Sequence, residues 1–289
     1  MPKIIVCSKA GLLIRGMNFN PIAVGAIGGS GTRVISQILQ SVGYFFGELQ
    51  SRANDTLWAV LLVDNFNVLT ISDAEFKERL GYLTAALSDQ SREGLSAERL
   101  QELFTQFPSQ LAPHRVEQAS KTIANWLFDA QPNDGPWGWK APTTHFFAER
   151  ILGANPELKY LHIIRDPYDL ALSKNQRQFK KWSKSLYDLS GYDEDNQRLK
   201  FWLETTDTIA DLKTRQPERV RILKLEDLCR DPQREVSMLF DYLEVKVDQQ
   251  RFDAAVSMVQ TPASIGRGKH GAFGQWDEDL RARAAQWGY

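Results

Sequence analysis

The sequence predicts an α/β protein of three layers around a central parallel sheet, and two features of the chain lead there. The first is Pro21 to Ile27, a short apolar run bounded by Pro and Gly. It leads into Gly28-Gly29-Ser30-Gly31-Thr32, and then Val34, Ile35, Ile38, Leu39 and Val42 recur at helical spacing. A run with no polar alternation suits a strand buried on both faces, as in a parallel sheet covered by helices. The second feature is repetition of that unit. Tyr160 to Ile164 ends in Arg165-Asp166-Pro167, and a helical pattern follows from Leu170. Val220 to Leu225 and Trp137 to Lys140 read as two more strands. Strands alternating with helical stretches indicate a parallel sheet with helical crossovers.

Between the first strand and the rest, residues from about 56 to 130 carry helical periodicity, with breaks at Ser72, Gly94 to Ser96 and Pro108 to Pro113. This predicts a helical insertion in a single domain spanning 1–289. Residues of about 174–200 mix Lys174, Arg177, Lys180, Lys181 and Lys184 with Trp182, Tyr187 and Tyr192, then turn acidic at Asp193-Glu194-Asp195. That composition predicts an exposed lid. The stretch Thr261 to Gly274 is rich in Gly and basic residues, unlike a core element.

Composition narrows the function classes. The 289 residues are 43% hydrophobic and 25% charged, the profile of a soluble globular chain. A net charge of −1 leaves no global positive field for nucleic acid or a membrane surface, so any anion site must be local. Ile4-Ile5-Val6 is too short for a secretory signal, and Trp58 to Val63 is far short of a membrane span. Cys7 and Cys229 are too few for a disulfide framework or a cysteine zinc site, so a reduced, cytoplasmic setting is expected. His114, His145, His162 and His270 show no metal-ligand spacing.

Two segments carry candidate chemistry. A glycine turn between a buried strand and a helix exposes backbone N–H groups at the positive end of the helix dipole, which binds phosphate or sulfate oxygens. Ser30, Thr32 and Arg33 add side-chain donors. The alternative is a tight turn whose glycines only let strand and helix pack. A nucleotide triphosphatase loop would continue Gly-Lys-[Ser/Thr], and here Gly31 is followed by Thr32-Arg33. The second segment is Arg165, at the carboxyl end of its strand, where open α/β sheets bind ligands. With Ser173 near the second turn of the following helix, it could grip one phosphate. The alternative there is structural, with Asp166 or Asp169 pairing Arg165 or capping the helix.

Taken together, these pieces resemble the sulfotransferases that use 3′-phosphoadenosine 5′-phosphosulfate (PAPS) as sulfuryl donor. Gly28-Gly29-Ser30-Gly31-Thr32-Arg33 is similar to the family's 5′-phosphosulfate loop. Arg165 to Ser173 resembles its 3′-phosphate motif. Trp139-Lys140-Ala141-Pro142 resembles its Lys-x-Pro strand end, and Ile265-Gly266-Arg267-Gly268-Lys269 with Trp276 its closing carboxyl-terminal loop. Leu225-Glu226-Asp227-Leu228 with Asp231-Pro232 looks like the segment after the last core strand. The resemblance implies a P-loop-NTPase-like sulfotransferase fold with a helical insertion and no catalytic metal. PAPS would be the co-substrate, adenosine 3′,5′-bisphosphate (PAP) the product, and a small-molecule, carbohydrate or lipid the acceptor.

Three departures from the family pattern bear on roles. Gly29 stands where a Lys or Arg usually precedes Ser-Gly-Thr, so donor charge falls to Arg33, Lys140 or the backbone. The last loop reads Arg-Gly-Lys, so Arg267 carries over more directly than Lys269. Pro142 occupies the position where many cytosolic members hold a histidine base. Glu48, after the first helix, and Asp55 then stand as equal candidates for the general base, with His145 third. Trp58, Phe66 and Trp182 read as either acceptor-pocket or core aromatics, and His162 as core. The competing readings are a P-loop kinase or nucleotide hydrolase, and a PAP-binding homologue without catalysis.

Overall fold

In a computed structural model, the structure describes residues 5–6, 20–64, 66–105, 127–129, 132–269 and 276–289. Cys7, the break at Pro108 to Pro113, His114, His270 and the tail residues 270–274 lie outside the described residues, as does the side chain of Lys269.

The strands are β1 (Ile5–Val6), β2 (Ile22–Ala26), β3 (Leu49–Gln50), β4 (Gly138–Lys140), β5 (Lys159–Ile164) and β6 (Val220–Lys224). Four of them form one parallel sheet in the order β4-β2-β5-β6, and β1 pairs with β3 in a separate antiparallel ribbon. All five residues of β2 are buried, as its unbroken apolar run requires of a central strand. Strand β6 lies at the sheet edge, and three of its five residues are only half-buried.

The main helices are α1 (Thr32–Ser41), α2 (Leu57–Leu62), α3 (Asp73–Leu87), α4 (Ala97–Thr105), α5 (Ala148–Ala154), α6 (Pro167–Ala171), α7 (Arg177–Leu186), α8 (Glu194–Arg215), α9 (Leu225–Arg230), α10 (Pro232–Leu243), α11 (Gln249–Ser257) and α12 (Glu278–Gln286). Side chains alternate across the sheet and divide the core in two. Ile22, Val24 and Ala26 pack with Ile35 and Leu39 of α1 and Leu239 of α10. On the other face Ala23, Trp139 and Tyr160 meet Trp58, Phe76 and Phe104 of the insertion. The result is the three-layer order expected from the sequence.

Within the insertion, α3 starts where the break at Ser72 predicts: Ser72 Oγ accepts the Glu75 N–H at 3.2 Å, a side-chain N-cap. The gap between α3 and α4 covers Gly94 to Ser96.

The segment expected to be an exposed lid is exposed only in part, at Lys174, Arg177, Lys180 and Lys184 among others. It holds α7 and the start of α8, and α7 buries Gln178, Phe179, Trp182 and Ser183. Those positions make one buried stripe at helical spacing. Interleaved Arg177, Lys180, Lys181 and Lys184 hide it from a reading weighted by charge. Ser173 also differs from expectation: α6 ends at Ala171, and Ser173 lies just past it, its N–H on Leu170 O at 2.9 Å.

Two glycines test the packing. A Cβ on Gly138 would sit 2.3 Å from the carbonyl oxygen of its strand partner Ile22, whereas a Cβ on Gly81, inside α3, would meet nothing within 4 Å. Gly138→Ala should lower unfolding free energy by about 1–3 kcal/mol through overpacking. Gly81→Ala should raise it by about 0.5–1 kcal/mol through helix propensity. Urea denaturation of both variants reads the two signs.

Candidate functional site

Because the four sheet strands are parallel, their carboxyl ends share one edge, and the loops that follow meet there. The glycine loop leaves β2 at this edge. Gly29 (φ 101°) and Gly31 (φ 87°) both hold left-handed backbone, which favours glycine. A Cβ on Gly31 would also come within 2.7 Å of Leu225 Cδ1. Gly31 caps α1, whose first turn has no side-chain cap and no acidic residue, so the positive end of the helix faces the loop unscreened. Ser30 Oγ is buried without a partner among the described residues. Thr32 is buried and Arg33 exposed. Gln178 of α7 braces the loop: its Oε1 accepts the Gly28 N–H at 2.8 Å and its Nε2 donates to Ala26 O at 3.2 Å.

Arg165 follows β5 directly and lies against the same loop, with Nη1 donating to Gly29 O at 3.3 Å. Its Nη2 donates to Asp169 Oδ2 at 3.0 Å and to Ser264 Oγ at 3.0 Å, while Nε is buried without a partner. Ser173 closes the group from the other side: a Cβ on Gly29 would be 3.6 Å from its Oγ.

Both structural roles considered for the aspartates are present. Asp166 caps α6 by accepting the N–H groups of Tyr168 and Asp169, and Asp169 pairs Arg165. Asp169 does more. Its Oδ2 also accepts the Gly266 N–H at 2.8 Å, its Oδ1 accepts the Gly268 N–H at 2.7 Å, and its carbonyl accepts Arg267 Nε at 3.0 Å. One carboxylate with no exposed surface thus ties the Gly266–Gly268 loop to the Arg165 site.

Lys140 ends β4 on the same edge. Its ammonium is almost wholly buried, donating to Asp55 Oδ1 at 2.5 Å and Ala53 O at 2.8 Å. Burial pulls the lysine pKa below its ordinary value, and the Asp55 carboxylate opposes that pull. Asp55 Oδ2 also accepts from Ser51 Oγ at 3.0 Å. A cavity of about 590 Å³ runs along the edge, lined by the glycine loop with Arg33, by Lys140 with Asp55, and by Asp64 with Lys181. Glu48, half-buried beside β3, is not among its lining residues.

Of the candidate aromatics, Trp58 is core, while Trp182 is buried yet lines the cavity, stacked on Phe146 and against Phe66. His162 is a core residue bonded to Tyr160 Oη at 2.9 Å. His145 is equally enclosed: its Nδ1 lies 2.8 Å from Pro142 O and so carries the ring proton. Burial brings its pKa down to about 4. Sequence reasoning missed Gln178, Asp64 and the hub role of Asp169. Gln178 and Lys181 sat in the stretch expected to be exposed. Among the described residues no group of three or more His, Cys, Asp or Glu is placed to hold a metal ion.

Two measurements follow from this geometry. Asp169→Ala leaves Arg165 buried without its carboxylate and frees two loop N–H groups, so urea denaturation should show a loss of about 3–5 kcal/mol. A loss under about 1 kcal/mol would contradict the hub role. His145 has a folded pKa below that of the unfolded chain, about 6.5, so the unfolded state binds the proton first. Stability is therefore full above pH 6.5 and falls as pH drops toward 4. Between pH 7 and pH 5 this ring should cost about 2 kcal/mol, and His145→Gln should lose correspondingly less over that window.

Comparison with known proteins places this architecture. Among solved structures, the sulfotransferase domain of the Synechococcus PCC 7002 olefin synthase is 16% identical, covers 98% of both chains and superposes with a TM-score of 0.50. Sulfotransferase STF9 from Mycobacterium avium is 13% identical over 93% of this chain and 76% of its own, with a TM-score of 0.49. A retinol dehydratase complexed with androsterone and inactive cofactor PAP is 13% identical over 92% of this chain and 79% of its own, with a TM-score of 0.44. No curated protein sequence matches the chain. A model of the sulfotransferase family matches residues 21–249, from the start of β2 into α11 and so across every strand of the parallel sheet, and the chain belongs to that family.

Proposed function

We infer that the chain transfers the sulfuryl group of PAPS to a hydroxyl or amine of a small-molecule, carbohydrate or lipid acceptor. The observation that supports this reading is the contact of Arg165 Nη1 with Gly29 O at 3.3 Å, which brings together the two segments proposed to bind opposite ends of one nucleotide. The fit of the residues to the donor rests on buried donors left without protein partners. Ser30 Oγ lies in the glycine loop and Arg165 Nε at the second cradle. Buried donors of this kind are uncommon in native proteins unless a ligand or water uses them.

In this reading the loop N–H groups of Gly29, Gly31 and Thr32, with the Ser30 and Thr32 hydroxyls, bind the 5′-phosphosulfate, while Gly28, its N–H held by Gln178, shapes the turn. Arg165, Ser173, Arg267 and the Gly268 and Lys269 segment bind the 3′-phosphate. When bound, PAPS supplies an activated sulfuryl group and leaves as PAP. Lys140 and Arg33 bring positive charge to the cavity, that of Lys140 fixed by its pairing with Asp55, and sulfuryl transfer, like phosphoryl transfer, depends chiefly on positioning and charge stabilisation. Asp55 holds the Lys140 ammonium in place. With two cysteines in 289 residues, the reading sets the reaction in a reducing cytoplasm.

PAP should raise the melting temperature more than adenosine 5′-phosphate does, with about 2.7 kcal/mol of stabilisation at a hundredfold excess over Kd. Arg165→Ala should weaken PAP by about 1.5–3 kcal/mol, the range for a charge-assisted contact, with little change for adenosine 5′-phosphate. Equal stabilisation by the two nucleotides would remove the 3′-phosphate site. If PAP binds and no member of an acceptor panel is sulfated, the chain is a nucleotide-binding homologue without catalysis.

A further inference from the structure

The cavity holds a second carboxylate that sequence reasoning did not reach. Asp64 lies just past the end of α2, its side chain 11% exposed, and lines the cavity that contains the glycine loop and Lys140. We propose that Asp64 is the general base that takes the proton from the acceptor, and that Asp55 is the positioning residue for Lys140. The proposal rests on the sulfuryl-transfer reading above.

Three observations separate the two carboxylates. Both oxygens of Asp55 are engaged, Oδ1 by the Lys140 ammonium at 2.5 Å and Oδ2 by Ser51 Oγ at 3.0 Å. A proton placed on Asp55 would deprive the buried Lys140 of its counter-charge, which is costly. Asp64 is held more loosely: Lys181 Nζ stands 3.4 Å from its Oδ1, and the Thr143 hydroxyl donates to its carboxylate. Its surroundings also favour proton uptake. Burial raises its pKa above the ordinary aspartate value, the Asp55 charge adds to the rise, and Lys181 and Thr143 hold it back.

The charged groups facing Asp64 are Lys181 from α7 and Asp55 from the loop before α2, the latter already paired with Lys140. Arg33 and Arg177 line the same cavity. Trp182 also lines the cavity, its indole Nε1–H buried and unpartnered among the described residues. Two carboxylates whose environments differ in this way are the usual basis for dividing a structural from a proton-transfer role.

The step balances without another reactant. As the acceptor oxygen bonds to sulfur, its proton passes to Asp64. The bond between sulfur and the bridging oxygen breaks, and that electron pair stays on the 5′-phosphate of PAP. Asp64 then returns the proton to solvent through the open cavity.

The test uses the full chain with radiolabelled PAPS and water as acceptor, reading released sulfate. Asp64→Asn should lower that release about 100-fold or more and abolish its rise with pH, while the melting-temperature rise with PAP stays as in the parent chain. Unchanged release, or loss of the PAP effect in this variant alone, would overturn the base assignment. Failure of the parent chain to bind PAP would instead overturn the nucleotide reading. A readout without turnover is the ¹³C carboxylate spectrum of the parent chain. Two aspartates, Asp64 and Asp166, should titrate above the ordinary range, and Lys181→Met should move only the Asp64 resonance higher still, because the opposing ammonium is gone. No such resonance, or no response to Lys181→Met, overturns the proposal even if Asp64→Asn does not fold.

Discussion

The parallel pairing of β2 with β5, from Ile22 opposite Lys159 to Ala26 opposite Ile163, sets where everything else in the site can be. Both strands are enclosed by helical layers, and a shift of one residue would turn their apolar side chains to the wrong faces. With register held by burial, the turn after Ala26 and the residue after Ile164 emerge side by side. The contact between Arg165 and Gly29 O is a consequence of that register. Pairing of β5 with β6 then brings Leu225 against Gly31. Asp169 completes the arrangement by drawing in the Gly266–Gly268 loop from nearly a hundred residues away in the chain.

Charge in the cavity is arranged as pairs rather than as a field. The chain carries a net charge of −1, yet Lys140 faces Asp55 and Lys181 faces Asp64 along a single wall. Burial strengthens such pairs because few water dipoles screen them. Each lysine is thereby held as a fixed positive group in a particular place, which a solvated lysine on a flexible stem is not. The two pairs differ in tightness, 2.5 Å against 3.4 Å. That asymmetry allows chemically identical side chains to do different work.

Much of the frame is readable in the chain itself. The strand at Pro21 to Ile27, the glycine turn and the helix after it are adjacent in sequence, so local periodicity and turn chemistry report them. Ser72 shows itself as a helix start because an N-cap is a local signal. The segment from about 174 to 200 is not readable in this way. Its basic residues suggest solvent, and only the packing of Phe179 and Trp182 against the insertion and α8 shows that α7 belongs to the core. Gln178 clamps a loop 150 residues upstream, and no local pattern carries that information. Asp64 is likewise one carboxylate among many until Lys181 and Thr143 surround it.

The sequence by itself determined the α/β class, the order of the strands along the chain and the residue types in the glycine loop and at the end of β5, because strand, turn and helix propensities act over a few residues. Tertiary structure decided which carboxylates face the cavity, why Asp55 rather than Glu48 meets Lys140, and how Asp169 links two distant loops. Those outcomes depend on burial and on contacts between segments far apart in the chain, which come into being only when the sheet is assembled.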